Sequence, residues 1–302
     1  MKVFLGYDQK ALDDAYDQAV YAPNRDQILA RLAHTSELVR RRLGAPQRYS
    51  YGEKAIEGMD VYRSGKANAP VNVFVHGGAW RAGLARDYGF PAEMFVRAGA
   101  HFVALDFNNV LETGGDLMPM AEQVRRGIAW VCLHASQLGG DASRIYVSAT
   151  SSGAHLAGVA ATTDWTKYGL PPEPVRGYAL CSGMYDLRGP RLSKRSSYVK
   201  FTDEAEQALS PQRHVGAIRA PIVLAYGSLE TPEFQRQSRD FADALTRAGK
   251  LCEIIRCEGY NHFEIAETLG NPYGPLGRAV LAQMKIGTPI FSAPADPAAA
   301  GS

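Results

Sequence analysis

With 302 residues, 46% of them hydrophobic and 21% charged, the chain is long enough to bury a sizeable core as one large domain or two small ones. Lys+Arg number 33 against 31 Asp+Glu, a formal net charge of +2. That balance excludes the basic footprint of a nucleic-acid binder or of a protein held on an anionic membrane surface. In chain order, the opening residues MKVFLGYDQKALDD turn polar and acidic at once and lack the apolar run of a signal peptide. Residues 10–44 carry helical periodicity through Ile28, Leu29, Leu32, Leu38, Val39 and Leu43, stopped by Gly44. Arg40, Arg41 and Arg42 are expected on the solvated end of that helix. Residues 48–63 read as strand.

From residue 71 a regular alternation begins. Strands are expected at 71–75, 102–106, 144–149, 176–182, 221–226 and 251–257, with helices over about 119–137, from Ser152, over about 234–248 and over 275–285. Near-continuous apolar strands alternating with amphipathic helices predict a mostly parallel sheet covered on both faces. The polar stretch 184–214 breaks the rhythm and is expected to be a cap insertion, since long insertions between core strands are usually functional. The organisation expected is one domain over 1–288, with 1–45 as a helical cap segment and 289–302 as a Pro/Ala-rich disordered tail. No stretch reaches the ~18 apolar residues of a membrane span. The four cysteines, Cys132, Cys181, Cys252 and Cys257, form no CxxC pair and read as reduced thiols of a cytoplasmic protein. A zinc site at Cys252 and Cys257 is not expected, because five residues apart on a strand they point to opposite faces.

The chemistry centres on RIYVSATSSGAHLA (144–157), a strand running into a helix with two serines at the corner. In the G-x-S-x-G elbow the serine sits on a tight strand-to-helix turn, and its flanks must be small because two backbones approach there. The register Ala149-Thr150-Ser151-Ser152-Gly153 fits, with Ala in place of the first Gly. Making Ser152 the nucleophile would place β-branched Thr150 at a crowded flank. The competing reading of Ser151 is a plain helix N-cap. Upstream, His76-Gly77-Gly78-Ala79-Trp80 follows a strand, and backbone N–H groups of Gly77, Gly78 and Ala79 can turn inward to meet an oxyanion, together with the N–H of Ser152. A simple Gly-pair turn is the alternative. Of seven histidines only His262 follows the last core strand; His155 lies in the helix after the elbow and is expected to pack there. Glu230, after the strand at 221–226, is the candidate acid, with Glu233 as fallback. The order Ser151, Glu230, His262 is that of the α/β-hydrolase triad.

HGGAW, SATSSGAHLAG, CSGMYDLR and TPEFQRQS together resemble the kynurenine formamidase (arylformamidase) branch of the α/β-hydrolases, which borders the hormone-sensitive-lipase-like carboxylesterases. The resemblance runs over about residues 10–287. It implies Ser151 as nucleophile, Glu230 as acid, His262 as base, and an oxyanion hole from the N–H groups of Gly78, Ala79 and Ser152. Three departures stand out: Ala149 where the elbow begins with Gly, Glu230 where the acid is Asp, and Asp106-Phe107-Asn108-Asn109 where Tyr-Arg is common.

The reading that follows is a metal-free serine hydrolase, without cofactor, acting on a small carboxylic ester or aryl formamide through an acyl-enzyme. Trp80, Phe107 and Tyr185 are the candidates to line an aromatic-sized pocket, with core packing as the alternative for each. Other readings are an amidase on N-formyl or N-acyl aromatic amines and a non-catalytic ligand-binding protein of the same fold. No GxGxxG after a strand, GxxxxGK[ST] or HExxH suggests a nucleotide or metal. Nucleic acid and membrane are not expected partners; a homodimer is compatible with the sequence.

Overall fold

The computed structural model describes residues 1–289, so the expected tail lies almost wholly outside the described residues. The chain opens with helices α1 (Gln9–Ala15) and α2 (Arg25–Leu43), separated by a 3-10 turn at Gln18–Val20. The helical periodicity over 10–44 is divided between these two helices, because Pro23 cannot donate a backbone hydrogen bond and Asn24 starts the second as its N-cap. The arginines that end α2 do not simply face solvent: Arg40 and Arg41 pair with Glu37, and Arg42 with Glu93.

The strands are β1 (Gln47–Ser50), β2 (Gly58–Tyr62), β3 (Ala69–Val75), β4 (His101–Leu105), β5 (Gly140–Thr150), β6 (Val175–Cys181), β7 (Ile222–Gly227) and β8 (Cys252–Cys257). The further helices are α3 (Ala92–Arg97), α4 (Met118–His134), α5 (Ser152–Ala161), α6 (Arg188–Leu192), α7 (Asp203–Ala208), α8 (Pro232–Arg247), α9 (His262–Glu267) and α10 (Pro275–Gln283). The eight strands form one sheet in the order β1-β2-β4-β3-β5-β6-β7-β8. β1, β2 and β4 pair antiparallel, and β3 to β8 are parallel. This is the mostly parallel sheet that the strand–helix alternation predicts.

Both faces of the sheet are covered, which is why its strands read as continuous apolar runs. Alternate side chains go to opposite cores. Val71, Val73 and Val75 join Val124, Ile128 and Phe234 on one face, while Phe74 and Phe102 join Ile28, Phe95 and Val280 on the other. β3 is flanked by β4 on one side and β5 on the other, so the winding reverses there. In open α/β sheets that switch point, at the carboxyl ends of the strands, is where ligands bind. Among the described residues, no helix is long and apolar enough to cross a membrane. All four cysteines are free thiols.

Candidate active site

The triad and oxyanion-hole candidates gather at the carboxyl ends of β3, β5, β7 and β8. Ser151 follows β5 with φ 56° and ψ −127°. A positive φ is strained for a residue with a Cβ and persists only where the surroundings enforce it. The enforcement is visible: Ser151 N–H donates to the Cys181 carbonyl at 2.8 Å, and the Ser151 carbonyl accepts from His155 N–H. At Gly153 a Cβ would lie 2.2 Å from the Val75 carbonyl oxygen and 2.3 Å from that of His76, so only glycine allows β3 and α5 to come together. Ala149, in place of the elbow's first glycine, is accommodated with its methyl in the core. The Ser151 side chain makes no cap hydrogen bond to α5, contrary to the N-cap reading. Ser152, the other register, is buried, and its Oγ accepts the Trp80 N–H at 3.1 Å.

His262 Nε2 lies 2.8 Å from Ser151 Oγ, and His262 Nδ1 lies 3.0 Å from Glu230 Oε2. A carboxylate only accepts, so Nδ1–H donates to Glu230 and Nε2 accepts from the serine hydroxyl. His262 is the first residue of α9. Its placement is held by the capping box of Asn261 and Glu264, and Asn24 bonds to both capping side chains from the start of α2. The rings of Phe234 and Phe263 pack edge-on to the imidazole at 5.0 and 5.2 Å.

Glu230 is buried and also accepts hydrogen bonds from Ser182 Oγ, from Gly227 N–H at 2.8 Å and from Gln18 Nε2 at 3.2 Å. The fallback acid points elsewhere. Glu233 is gripped bidentately by Arg236 one turn on in α8 and takes the Tyr16 hydroxyl at 2.8 Å. The sequence by itself does not single out Ser182 or Gln18. Ser182 repeats the elbow's signature, a small residue directly after an apolar strand, and it too has φ 56°. Gln18 has no local signal, because it reaches Glu230 across 212 positions of sequence.

The segment after β3 is also strained: Ala79 and Trp80 have φ 55° and 63°, and Gly78 has φ 117° with no room for a Cβ against the Ala82 carbonyl. The N–H groups of Gly78 and Ala79 donate to no protein acceptor among the described residues. Ser152 N–H, in the first turn of α5, has no intrahelical partner either. Gly77 presses on the elbow, where a Cβ would meet Ser151 Cβ at 3.0 Å. His76 is buried between the rings of Tyr88 and Phe107, and its Nδ1–H donates to the Gly77 carbonyl. Burial lowers its pKa, so it orders this loop as a neutral ring.

The expected pocket aromatics are placed differently. Trp80 is buried, with its indole N–H donating to His155 Nδ1 at 3.1 Å, while His155 Nε2–H donates to the Leu209 carbonyl at 2.7 Å. Burial pushes the His155 pKa down to about 4, so this link is neutral. Phe107 stacks on His76, and Tyr185 stacks on Phe241 at 4.4 Å. None of the three lines the cavity above Ser151; each spends its face on the core. Asp106, at the altered strand end, accepts the Ala85 N–H at 2.6 Å and pairs with Arg48, tying down the same loop from below.

The cavity has a volume of about 550 Å³. Its floor is Gly77, Gly78, Ala79, Ser151 and His262; its walls come from residues 16–32, including Tyr16, Leu29 and Leu32, and from 194–198 of the polar insertion.

Residues 59–170 match the family model described as BD-FAE. The chain is 32% identical over 226 residues to a kynurenine formamidase of Danio rerio, covering 72% of this chain and 75% of that one. It is 26% identical to an isoprenylcysteine alpha-carbonyl methylesterase of Arabidopsis thaliana, over 71% of this chain and 56% of that protein. Among solved structures, a thioesterase candidate from Silicibacter sp. TM1040 superposes with a TM-score of 0.78 at 22% identity, over 91% of this chain and 98% of that one, and shares the fold. The chain therefore belongs to the kynurenine formamidase-like branch of the α/β-hydrolases, serine hydrolases that border the carboxylesterases.

Proposed function

We propose that the protein hydrolyses small carboxylic esters or aryl formamides with Ser151 as nucleophile, His262 as general base and acid, and Glu230 as the group that orients the imidazole. The observation that carries this reading is the hydrogen-bonded relay Ser151–His262–Glu230 on the cavity floor. Ser151 Oγ attacks the substrate carbonyl carbon as its proton passes to His262 Nε2. The carbonyl oxygen becomes an oxyanion beside the N–H groups of Gly78, Ala79 and Ser152. Donors of that kind contribute about 3 kcal/mol each to the transition state. His262 then protonates the departing oxygen or nitrogen, leaving an acyl-enzyme. Water, deprotonated by the same imidazole, releases the acid and restores Ser151.

The substrate class rests on the relatives' names, formamidase and methylesterase, and on a cavity whose volume suits a small aromatic molecule. Neither the wider amidase reading nor a non-catalytic binding role has a separate observation behind it. The single-domain organisation over 1–288, with 1–45 and 184–214 as cap, is part of the same proposal, since both segments supply cavity walls. The four free thiols support a reducing, cytoplasmic setting. Exposed Leu251, just before the sheet-edge strand β8, and Ile254 within it support a homodimer, which light scattering of the purified protein checks.

The test is hydrolysis of p-nitrophenyl acetate and N-formyl-L-kynurenine by wild type and Ser151→Ala, with fluorophosphonate labelling of both. The expected outcome is turnover and labelling of wild type alone. Equal activity in the variant, or no labelling of wild type, sinks the assignment.

A further inference from the structure

The cavity wall holds charges that the hydrolytic relay does not use. Arg25, Arg81, Lys194 and Arg195 line it, against a single acid, Asp17. Asp17 is engaged by Lys194, and Arg25 lies 3.6 Å from Asp26. Arg81 and Arg195 have no carboxylate within salt-bridge distance among the described residues.

Arg195 is the unusual one. It is only 7% exposed. Its hydrogen-bond acceptors are neutral: Nη1 donates to the Tyr198 hydroxyl at 2.8 Å and Nη2 to the Tyr16 carbonyl at 2.9 Å. Its Nε is buried with no acceptor among the described residues. The guanidinium carbon lies 5.5 Å from the ring centroid of Trp80, in the strained segment after β3, and 5.9 Å from that of Phe234, the ring that packs against His262. It therefore sits beside the elements that hold both the proposed oxyanion hole and the proposed base. Arg81 stacks on the other neighbour, with its guanidinium carbon 4.6 Å from the Tyr198 ring centroid.

A buried cation is costly unless an anion or full hydrogen bonding compensates it. Two aromatic faces, two neutral acceptors and the field of the Asp17 carboxylate compensate Arg195 in part, and three of its five N–H donors are left without an acceptor among the described residues. The planar fork of an arginine matches a carboxylate, and such charge-assisted bonds are the strong ones. We propose that Arg195, with Arg81 at the rim, forms a carboxylate subsite, so that the preferred ester or formamide carries a free carboxylate on its acyl or its leaving part. This deepens the hydrolase reading and rests on it.

The experiment compares matched esters. Mono-4-nitrophenyl adipate against 4-nitrophenyl hexanoate places the carboxylate on the acyl side; 4-acetoxybenzoate against 4-acetoxybenzamide places it on the leaving side. In one of the two pairs, wild type is expected to favour the carboxylate at least tenfold in kcat/KM, roughly the least a charged hydrogen bond provides. Arg195→Gln should lower that ratio at least tenfold, mainly through KM, and Arg195→Lys should restore part of it. No preference in either pair overturns the subsite, as does a fall of both members of a pair together in Arg195→Gln. If Arg195→Gln does not fold, exposed Arg81→Gln carries the test, with a fall of about threefold in the same ratio expected from a rim charge and an unchanged ratio counting against the subsite. If wild type cleaves neither an ester nor N-formyl-L-kynurenine, the hydrolase reading fails separately. Calorimetric binding of the adipate and hexanoate esters to Ser151→Ala then reads the subsite alone, with tighter adipate binding supporting it and equal binding overturning it.

Discussion

The strand ends that form the cavity floor and the segments that roof it are held in place by different forces. The floor is a matter of backbone. Ala79, Trp80, Ser151 and Ser182 all have positive φ, and Gly78 and Gly153 occupy places where a Cβ has no room. The roof is a matter of side chains. Gln9 donates to the Leu192 carbonyl at 2.9 Å, Asp13 accepts the Lys194 N–H at 2.6 Å, and Arg195 reaches the Tyr16 carbonyl, so the N-terminal segment and the insertion hold each other across some 180 positions of sequence. Backbone strain fixes atoms to a fraction of an ångström, as bond-making chemistry requires. Side-chain links can be exchanged one at a time, which suits a surface that chooses substrates. The two regions should therefore respond differently to substitution, and floor residues should lose turnover before they lose substrate selectivity.

The largest expected effect is at the floor. Ser151→Ala should lower kcat roughly 10⁴-fold or more on every substrate, leaving the melting temperature close to wild type. A loss confined to one substrate would break the comparison. Next is the acid. Glu230→Gln should cost roughly 10³- to 10⁴-fold in kcat, because a neutral amide cannot hold the imidazolium. Glu233→Gln should instead cost about 2 kcal/mol of stability by loosening the clasp of Arg236, a value discounted because that arginine is 24% exposed. Paired kinetics and urea titrations of the two variants separate them; exchanged outcomes would move the acid from one glutamate to the other.

That pair also marks how far the sequence could be read. The parallel sheet follows from the apolar runs, and Ser151, Glu230 and His262 lie where short local patterns follow strands in a fixed chain order. Choosing Glu230 over Glu233 depends on where α8 begins: with Thr231 as its N-cap and Pro232 as its first residue, Glu233 falls in the first turn, within reach of Arg236. Three residues of sequence do not reveal that turn. For Trp80, Phe107 and Tyr185 the sequence leaves pocket lining and core packing both open, because an aromatic side chain settles where it finds partners, and His155, His76 and Phe241 are brought from other elements. The roof was legible as a location, residues 184–214 and the N-terminus, and not as chemistry. Its working side chains have no periodicity and meet only after the sheet has closed beneath them.

An effect smaller than those on turnover is expected in stability against pH, through the neutral link from Trp80 via His155 to Leu209. The folded pKa of His155 is lowered to about 4 from an ordinary 6.5 by burial. The unfolded chain therefore binds more protons below pH 6.5. Stability from this group is complete above that value, falls as the pH drops, and is lost once the pH passes through about 4. The loss is about 3 kcal/mol at most, and His76, lowered for the same reason, adds to it in the same direction. Urea midpoints of wild type and His155→Gln at pH 7 and pH 4.5 check this: the variant should show the smaller drop. An equal drop in both would mean that carboxylates alone carry the acid response.

The smallest effect is the most informative, because Gln18 belongs to both regions. It sits between α1 and α2, in the roof, yet its Nε2 donates to Glu230 and its Oε1 accepts the Thr231 N–H at 3.3 Å. If the roof only selects substrate, Gln18→Ala should raise KM and leave kcat alone. If the roof also steadies the acid, kcat should fall by about three- to tenfold, the worth of one modest buried hydrogen bond, and with the same factor for every ester tested. The second outcome is the one expected, since Glu230 Oε2 is the oxygen that Gln18 and His262 share. A carboxylate with one donor fewer can rotate away from the imidazole. A change in KM alone would place the boundary between chemistry and recognition at this side chain and leave the floor wholly independent of its roof.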